Sequence, residues 1–156
     1  MSGSDTACIV FGDQLDAHGE FYRSLDPTRV VLLMVEAVEE GAREWSHPQR
    51  ITIFLSAMRH FAQSMRDRGY RVEYLPLGTV ETLEEGFHRL LERVRPGRVI
   101  ARRPGDFRNL RLVHSLGEAF AVECSVHEDD RALCSPEDFA EHARNRKSLR
   151  LEFFTG

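Results

Sequence analysis

Residues 7–11, Ala-Cys-Ile-Val-Phe, form an apolar run that stops abruptly at Gly12-Asp13-Gln14. A short run that is apolar at every position is what a strand buried on both faces needs, and such strands belong to parallel sheets covered by helices. Gly12 lets the backbone turn sharply at the strand's carboxyl end. In an open α/β sheet, ligands bind outside the carboxyl ends of the strands, where strand order reverses, and the first strand normally borders that point. The turn contains neither G-x-G-x-x-G nor G-x-x-x-x-G-K-[ST], the two phosphate-cradling signatures, and Asp13 and Asp16 repel a diphosphate. A carboxylate and an amide here suit a ligand that donates hydroxyls or ring N–H groups, such as a sugar-alcohol chain or a neutral heterocycle. Asp13 acting only as a cap for the following segment explains the turn equally well.

The second run, Arg29-Val-Val-Leu-Leu-Met-Val35, repeats the pattern and ends at Glu36. Two neighbouring strands then deliver carboxylates, Asp13 and Glu36, to one edge of a sheet, which makes a stronger site than either acid alone. The competing reading makes Glu36 the start of a solvated acidic helix, Glu36-Ala-Val-Glu-Glu40. The most regular helix follows, from about Gln49 to Arg68. Ile51, Phe54, Leu55, Met58, Phe61, Ala62 and Met65 form its apolar stripe, read as core, and Gly69 stands where a C-terminal glycine belongs. Ser56, Arg59 and Gln63 lie along one line of the helix, which offers Arg59 as a counter-charge to the acidic crevice. Spacing alone favours the plainer reading of Arg59, a surface arginine paired with an acid. His60 has no histidine four residues away, which argues against a metal role.

Further strands are expected at Arg71–Leu75, Arg98–Ala101 and Ala119–Val126. Between them, Thr79 is placed to cap a helix carrying Val80, Leu83, Phe87, Leu90, Leu91 and Val94, ended by Pro96-Gly97. Leu110, Val113 and Leu116 give a shorter one. The turn Arg102-Arg-Pro-Gly-Asp-Phe-Arg108 closes another strand at its carboxyl end and is a second candidate wall of the crevice. Ser135-Pro-Glu-Asp138 is a helix start, with Ser at the cap, Pro at the first position and acids in the first turn, running to about Arg146. Arg144, Arg146, Lys147 and Arg150 form a basic cluster that a solvated helix end explains better than nucleic-acid contact. Five strands alternating with helices specify a doubly wound five-stranded parallel sheet with helices on both faces, Rossmann-like in layout. Leu149, Leu151, Phe153 and Phe154 have no sixth strand to serve, which is expected of the first part of something longer.

A chain of 156 residues is one domain's length, and its net charge of −4 argues against a DNA-binding surface of its own. Cys8, Cys124 and Cys134 make no C-x-x-C pair, so reduced thiols and a cytoplasmic location are expected, and no four-thiolate cluster can be completed from them. No apolar run approaches the roughly 20 residues of a membrane span, and Met1-Ser-Gly-Ser-Asp5 does not read as a signal peptide.

Gly12-Asp-Gln-Leu15, Val31-Leu-Leu-Met-Val-Glu36, Phe54-Leu-Ser-Ala-Met-Arg-His-Phe-Ala62, Pro104-Gly-Asp106, Glu128-Asp-Asp-Arg131 and Arg146-Lys-Ser-Leu-Arg-Leu-Glu-Phe-Phe154 occur in this order. The set resembles the amino-terminal domain of the deoxyribodipyrimidine photolyase-related family, the iron-sulfur bacterial cryptochromes and (6-4) photolyases. The resemblance implies an α/β antenna-binding domain over 1–131, and a helix with the start of a linker over 132–156. It implies that the domain holds 6,7-dimethyl-8-ribityllumazine and passes excitation to FAD in a helical carboxyl-terminal domain. That domain, outside this sequence, also carries the four-iron-four-sulfur cluster and meets the DNA. Gly12, Asp13, Gln14, Leu15, Glu36, Ser56 and Arg59 are the expected pigment contacts, and no residue is expected to be catalytic. Arg103 departs from the family's usual Glu before its Pro-Gly turn. The alternatives are an α/β domain that handles a nucleotide in another enzyme class, and a structural module that docks a partner.

Overall fold

The computed structural model describes residues 5–43, 47–131 and 135–144. Trp45, Cys134, the basic residues 146, 147 and 150, and the apolar tail 149–154 lie outside the described residues.

The elements run β1 (Thr6–Ile9), α1 (Glu20–Arg23), β2 (Val30–Val35), α2 (Val38–Arg43), α3 (Pro48–Asp67), β3 (Arg71–Leu75), α4 (Leu83–Val94), β4 (Arg98–Arg102), α5 (Phe107–Phe120), β5 (Glu123–His127) and α6 (Pro136–Ala143). The strands pair in parallel throughout, in the order β3-β2-β1-β4-β5. The architecture is the doubly wound α/β sheet that the alternating runs specify. All six residues of β2 are buried, whereas the edge strands β3 and β5 are only partly so. Central strands covered on both sides require the continuous apolar runs seen in the sequence.

Alternate residues of each strand serve opposite faces. Ala7, Ile9, Val31, Leu33, Val35, Val99 and Ala101 pack with Leu83, Phe87, Leu90 and Leu91 of α4 and with Val113 and Leu116 of α5. Cys8, Leu32, Met34 and Ile100 pack with Phe21 and Tyr22 of α1 and with Met58, Phe61, Ala62 and Met65 of α3. The chain therefore lays α1 and α3 on one face as it winds outward to β3. It then crosses to lay α4 and α5 on the other, so strand order reverses between β1 and β4.

Three boundaries differ from the sequence reading, each for a local reason. The cap of α4 is Thr82, which accepts the Glu85 N–H, and not Thr79; Val80 is a core residue outside the helix. Ala119 and Phe120 belong to α5, which is longer than its three apolar residues suggested. It closes on Ala121 in the left-handed conformation, φ 52°, without the glycine that normally marks such an end. The fifth strand accordingly begins at Glu123. The acidic stretch after β2 does become a helix, α2, but Glu36 stands outside it and is 1% exposed. The start of α6 is as expected, with Ser135 and Asp138 forming a reciprocal capping box.

Candidate functional site

A cleft of about 810 Å³ opens at the carboxyl edge of the sheet, within the size range of small-molecule sites. Its floor is the ends of β1 and β2, namely Val10 to Asp13 and Val35 to Val38. One wall is the first part of α3 with Ile51, Phe54, Leu55 and Met58; the opposite wall is Asp106, Arg108 and Asn109 at the start of α5. Leu77, from the turn after β3, and Leu83 and Phe87 of α4 complete it.

The α3 wall follows from lengths. A helix of 20 residues spans about 30 Å, against about 20 Å for a six-residue strand such as β2. The first turns of α3 overhang the sheet edge, so only Met58, Phe61, Ala62 and Met65 are core. Ile51 and Phe54, read from periodicity as core, are cleft wall, with Phe54 keeping 37% exposure, while Leu55 lines the cleft and also packs against the core. The Phe54 ring reaches across to the first turn: a Cβ placed on Gly12 would stand 2.1 Å from its Cζ. Gly12 thus leaves the room that the Phe54 ring occupies, and a side chain there would push the ring aside.

Glu36 lies beneath this wall and its carboxylate is fully committed. Arg59 donates from Nε to Oε1 and from NH2 to Oε2, both at 2.8 Å; the Leu77 N–H donates to Oε2 at 2.7 Å, and the Tyr74 hydroxyl donates to Oε1. Two donors on each oxygen use the acceptor capacity of the group. Burial pushes the Glu36 carboxyl up, but the hydrogen bonds from Arg59, Tyr74 and Leu77, with the Arg59 charge, outweigh it and hold the group below its ordinary value. Burial and the bond to Glu36 push the Tyr74 hydroxyl up, keeping it a donor. Arg59 is thus the counter-charge of Glu36, with 58% of its side chain in solvent on the outer side of α3.

Gln14 does not line the cleft. Its amide donates to the carbonyls of Arg102 at 3.0 Å and Arg103 at 3.2 Å, and its Oε1 accepts the Phe11 N–H, which clamps the end of β1 to the end of β4. The clamp is reinforced by Arg102, 0% exposed, which donates to the Gln14 carbonyl at 3.1 Å and to Asp130 at 2.8 Å with its guanidinium over the Phe21 and Tyr22 rings. Arg131 ties the same loop to the Asp13 carbonyl at 2.6 Å. Leu15 is half-buried against the α1 and α3 core. Ser56 is exposed in a shallow groove on the outer face of α3, with Arg59 and Gln63.

Of the expected contacts, the structure brings Gly12, Asp13 and Glu36 to the cleft; Gln14 and Leu15 support it from below, and Ser56 and Arg59 stand outside it. Asp106 and Arg108, in the turn read as a second wall, do line it. Asp106 caps α5, accepting the Asn109 N–H at 2.7 Å, and Arg108 bridges to Glu39 at 2.9 Å across the mouth. Asn109 has no signal in the sequence; only its place at the third residue of a helix starting at a strand end brings it in. Asp13 is exposed at the mouth, its Oδ2 close to Gly105. Acids at the mouth and a carboxylate already on the α5 N-terminus oppose a bound phosphate there.

Fold and site together define a Rossmann-like α/β domain with a largely apolar strand-end cleft and no phosphate-binding loop. The chain belongs to the deoxyribodipyrimidine photo-lyase-related protein family, whose model matches residues 8–155. It is 28% identical over 149 residues to a (6-4) photolyase of Agrobacterium fabrum, a match covering 94% of this chain and 29% of that protein. The chain thus spans less than a third of that relative's length. Among solved structures, a universal stress protein in complex with cAMP aligns over 84% of this chain and 100% of its own, at 12% identity and a TM-score of 0.43.

Proposed function

We propose that this chain is a light-harvesting domain whose cleft holds 6,7-dimethyl-8-ribityllumazine. The observation that carries the reading is the chemistry of the cleft. Apolar walls from α3 and α4 suit a flat ring, while Asp13 at the mouth accepts from the hydroxyls of a ribityl chain, and a phosphate finds acids where it needs N–H groups. In the whole protein the excited pigment would pass its energy to FAD in a helical carboxyl-terminal domain, which would also hold the four-iron-four-sulfur cluster and contact DNA, for light-driven repair or light sensing. No residue of this chain is assigned a catalytic role. The described helices include none long and apolar enough to cross a membrane. A cytoplasmic site of action fits the scattered thiols, Cys8 being buried with its pKa pushed up to about 12 by that burial.

The test is a fluorescence-polarisation titration of the purified chain with the lumazine, with FAD and ATP as controls. Saturable binding of the lumazine alone is expected. A folded chain that ignores the lumazine, or binds ATP tightly, overturns the reading.

A further inference from the structure

Arg108 carries hydrogen-bond donors that the fold leaves over. It is the second residue of α5 and lines the cleft, with 45% of its side chain in solvent, where a ligand can meet it. Its guanidinium lies 2.9 Å from Glu39 Oε2, the one polar contact it makes among the described residues. Five N–H donors facing one acceptor leave most of them unused. The pair with Glu39 also places the group. Because β1 lies between β2 and β4, a bridge from the start of α5, after β4, to Glu39, after β2, passes over the end of β1, which is the floor of the cleft. Glu39 is itself held: its Oε1 accepts the Leu83 N–H at 2.9 Å, and its own N–H donates to the Glu81 carbonyl at 3.1 Å.

We propose that Arg108 is the specificity-determining donor of the cleft and gives its free N–H groups to the ring carbonyls of a flat dione heterocycle, the lumazine ring in the reading above, on which this inference rests. Charge selects the class of acceptor. The Glu39 carboxylate offsets the guanidinium's charge without using up its donors, and Asp13 and Asp106 line the same cleft, so the group suits a neutral carbonyl and not a phosphate. Pre-organisation selects the residue. Arg50, the other cation that lines the cleft, is exposed and has no side-chain partner among the described residues, so ordering it on a ligand costs side-chain entropy that Arg108 has already lost to Glu39. The Asn109 amide is turned to Asp106 at 2.8 Å. Asp13 accepts from hydroxyls while Arg108 donates to carbonyls, and a site built to hydrogen-bond a ligand group discriminates against the analogue lacking it.

The experiment is a four-cornered binding cycle: the chain and its Arg108→Leu variant, each titrated with 6,7-dimethyl-8-ribityllumazine and with its dithio analogue, in which sulfur, a poor acceptor, replaces both ring carbonyl oxygens. Expected are an about tenfold weaker Kd for the lumazine on Arg108→Leu, a comparable loss for the dithio compound on the unmodified chain, and no further loss when the two changes are combined. Equal affinity of the variant for the lumazine overturns the proposal, and so do strictly additive losses, which a merely structural bridge to Glu39 would give; both leave lumazine binding in place. A chain that binds no lumazine overturns both readings. Should Arg108→Leu fail to fold, Arg108→Lys takes its place in the cycle, keeping a charge beside Glu39 with fewer donors, and the same test of additivity decides.

Discussion

Glu36 stands at the cleft as its place at a strand end leads one to expect, and it carries a structural task there as well. Its position at a strand end invited a ligand, yet its four hydrogen bonds make it the anchor that fastens α3 and β3 to the end of β2. Glu36→Gln turns one acceptor oxygen into a donor facing Arg59 or Tyr74 and should lower stability by about 2 kcal/mol, the cost of orphaning a charged hydrogen-bonded partner. The exposed end of Arg59 keeps the loss from being larger. Urea denaturation at pH 7 measures it, and an unchanged midpoint would contradict the anchor. Arg102 gives a prediction of order. Its guanidinium is fully buried, whereas the Asp130 side chain keeps 23% exposure and can turn to water. Asp130→Ala leaves the buried charge with the neutral Gln14 carbonyl and, as its nearest acid, Asp129 at 3.8 Å, so it should cost about 3 kcal/mol. Arg102→Met should cost less, and the reverse order would contradict the account.

At the scale of elements, two glycines separate two physical reasons. Gly69, after α3, has φ 92° and open space around it, so Gly69→Ala is opposed only by its backbone and should cost about 1 kcal/mol. Gly86 sits inside α4, where alanine is the better helix former, but its Cβ would meet Val35 Cγ1 at 2.4 Å. Gly86→Ala should therefore destabilise by about 1–3 kcal/mol despite propensity, by forcing α4 off β2. Paired with Val35→Ala, much of that loss should return in thermal melts; no recovery would place the strain elsewhere. The same distinction explains what the sequence could disclose. Runs such as 31–35 carry their own signature, because burial on both faces leaves no polar position, and the Ser135 cap and Gly69 are local chemistry. The overhang of α3 is a comparison of two lengths, the partners of Glu36 come from α3, β3 and the turn after β3, and Asn109 enters the cleft through topology alone. Periodicity reports which face of α3 is apolar, not whether sheet or cleft lies beneath it.

For the whole molecule, the carboxylates that tie elements together also set its tolerance of acid. Burial raises the pKa values of Glu36, Glu73 and Asp130, but hydrogen bonds and arginine charges carry all three below their ordinary range; the bond from Arg131 leads the same shift at Asp129. A carboxyl with a depressed folded pKa binds fewer protons folded than unfolded, so stability rises with pH across that interval. The contribution is complete above the ordinary values, 4.5 for the two glutamates and 3.8 for the two aspartates, and drains away as pH falls through the depressed ones. The four do not weigh equally. Arg71 and Arg93, which hold Glu73, are each more than half exposed and screened by solvent, whereas the Glu36 side chain is 0% exposed and Asp130 meets a fully buried guanidinium. Unfolding free energies measured in urea should be flat near neutrality and fall steeply below about pH 5. Glu36→Gln should make that fall shallower by up to about 1.4 kcal/mol per pH unit, the weight of one linked proton. Added salt should soften the contribution of Glu73 more than that of Glu36, whose carboxylate is fully buried although Arg59 is 58% exposed. A variant that is destabilised at pH 7 yet keeps the full acid slope would mean that Glu36 carries its charge without linking it to folding, and would overturn its role as the anchor of the cleft.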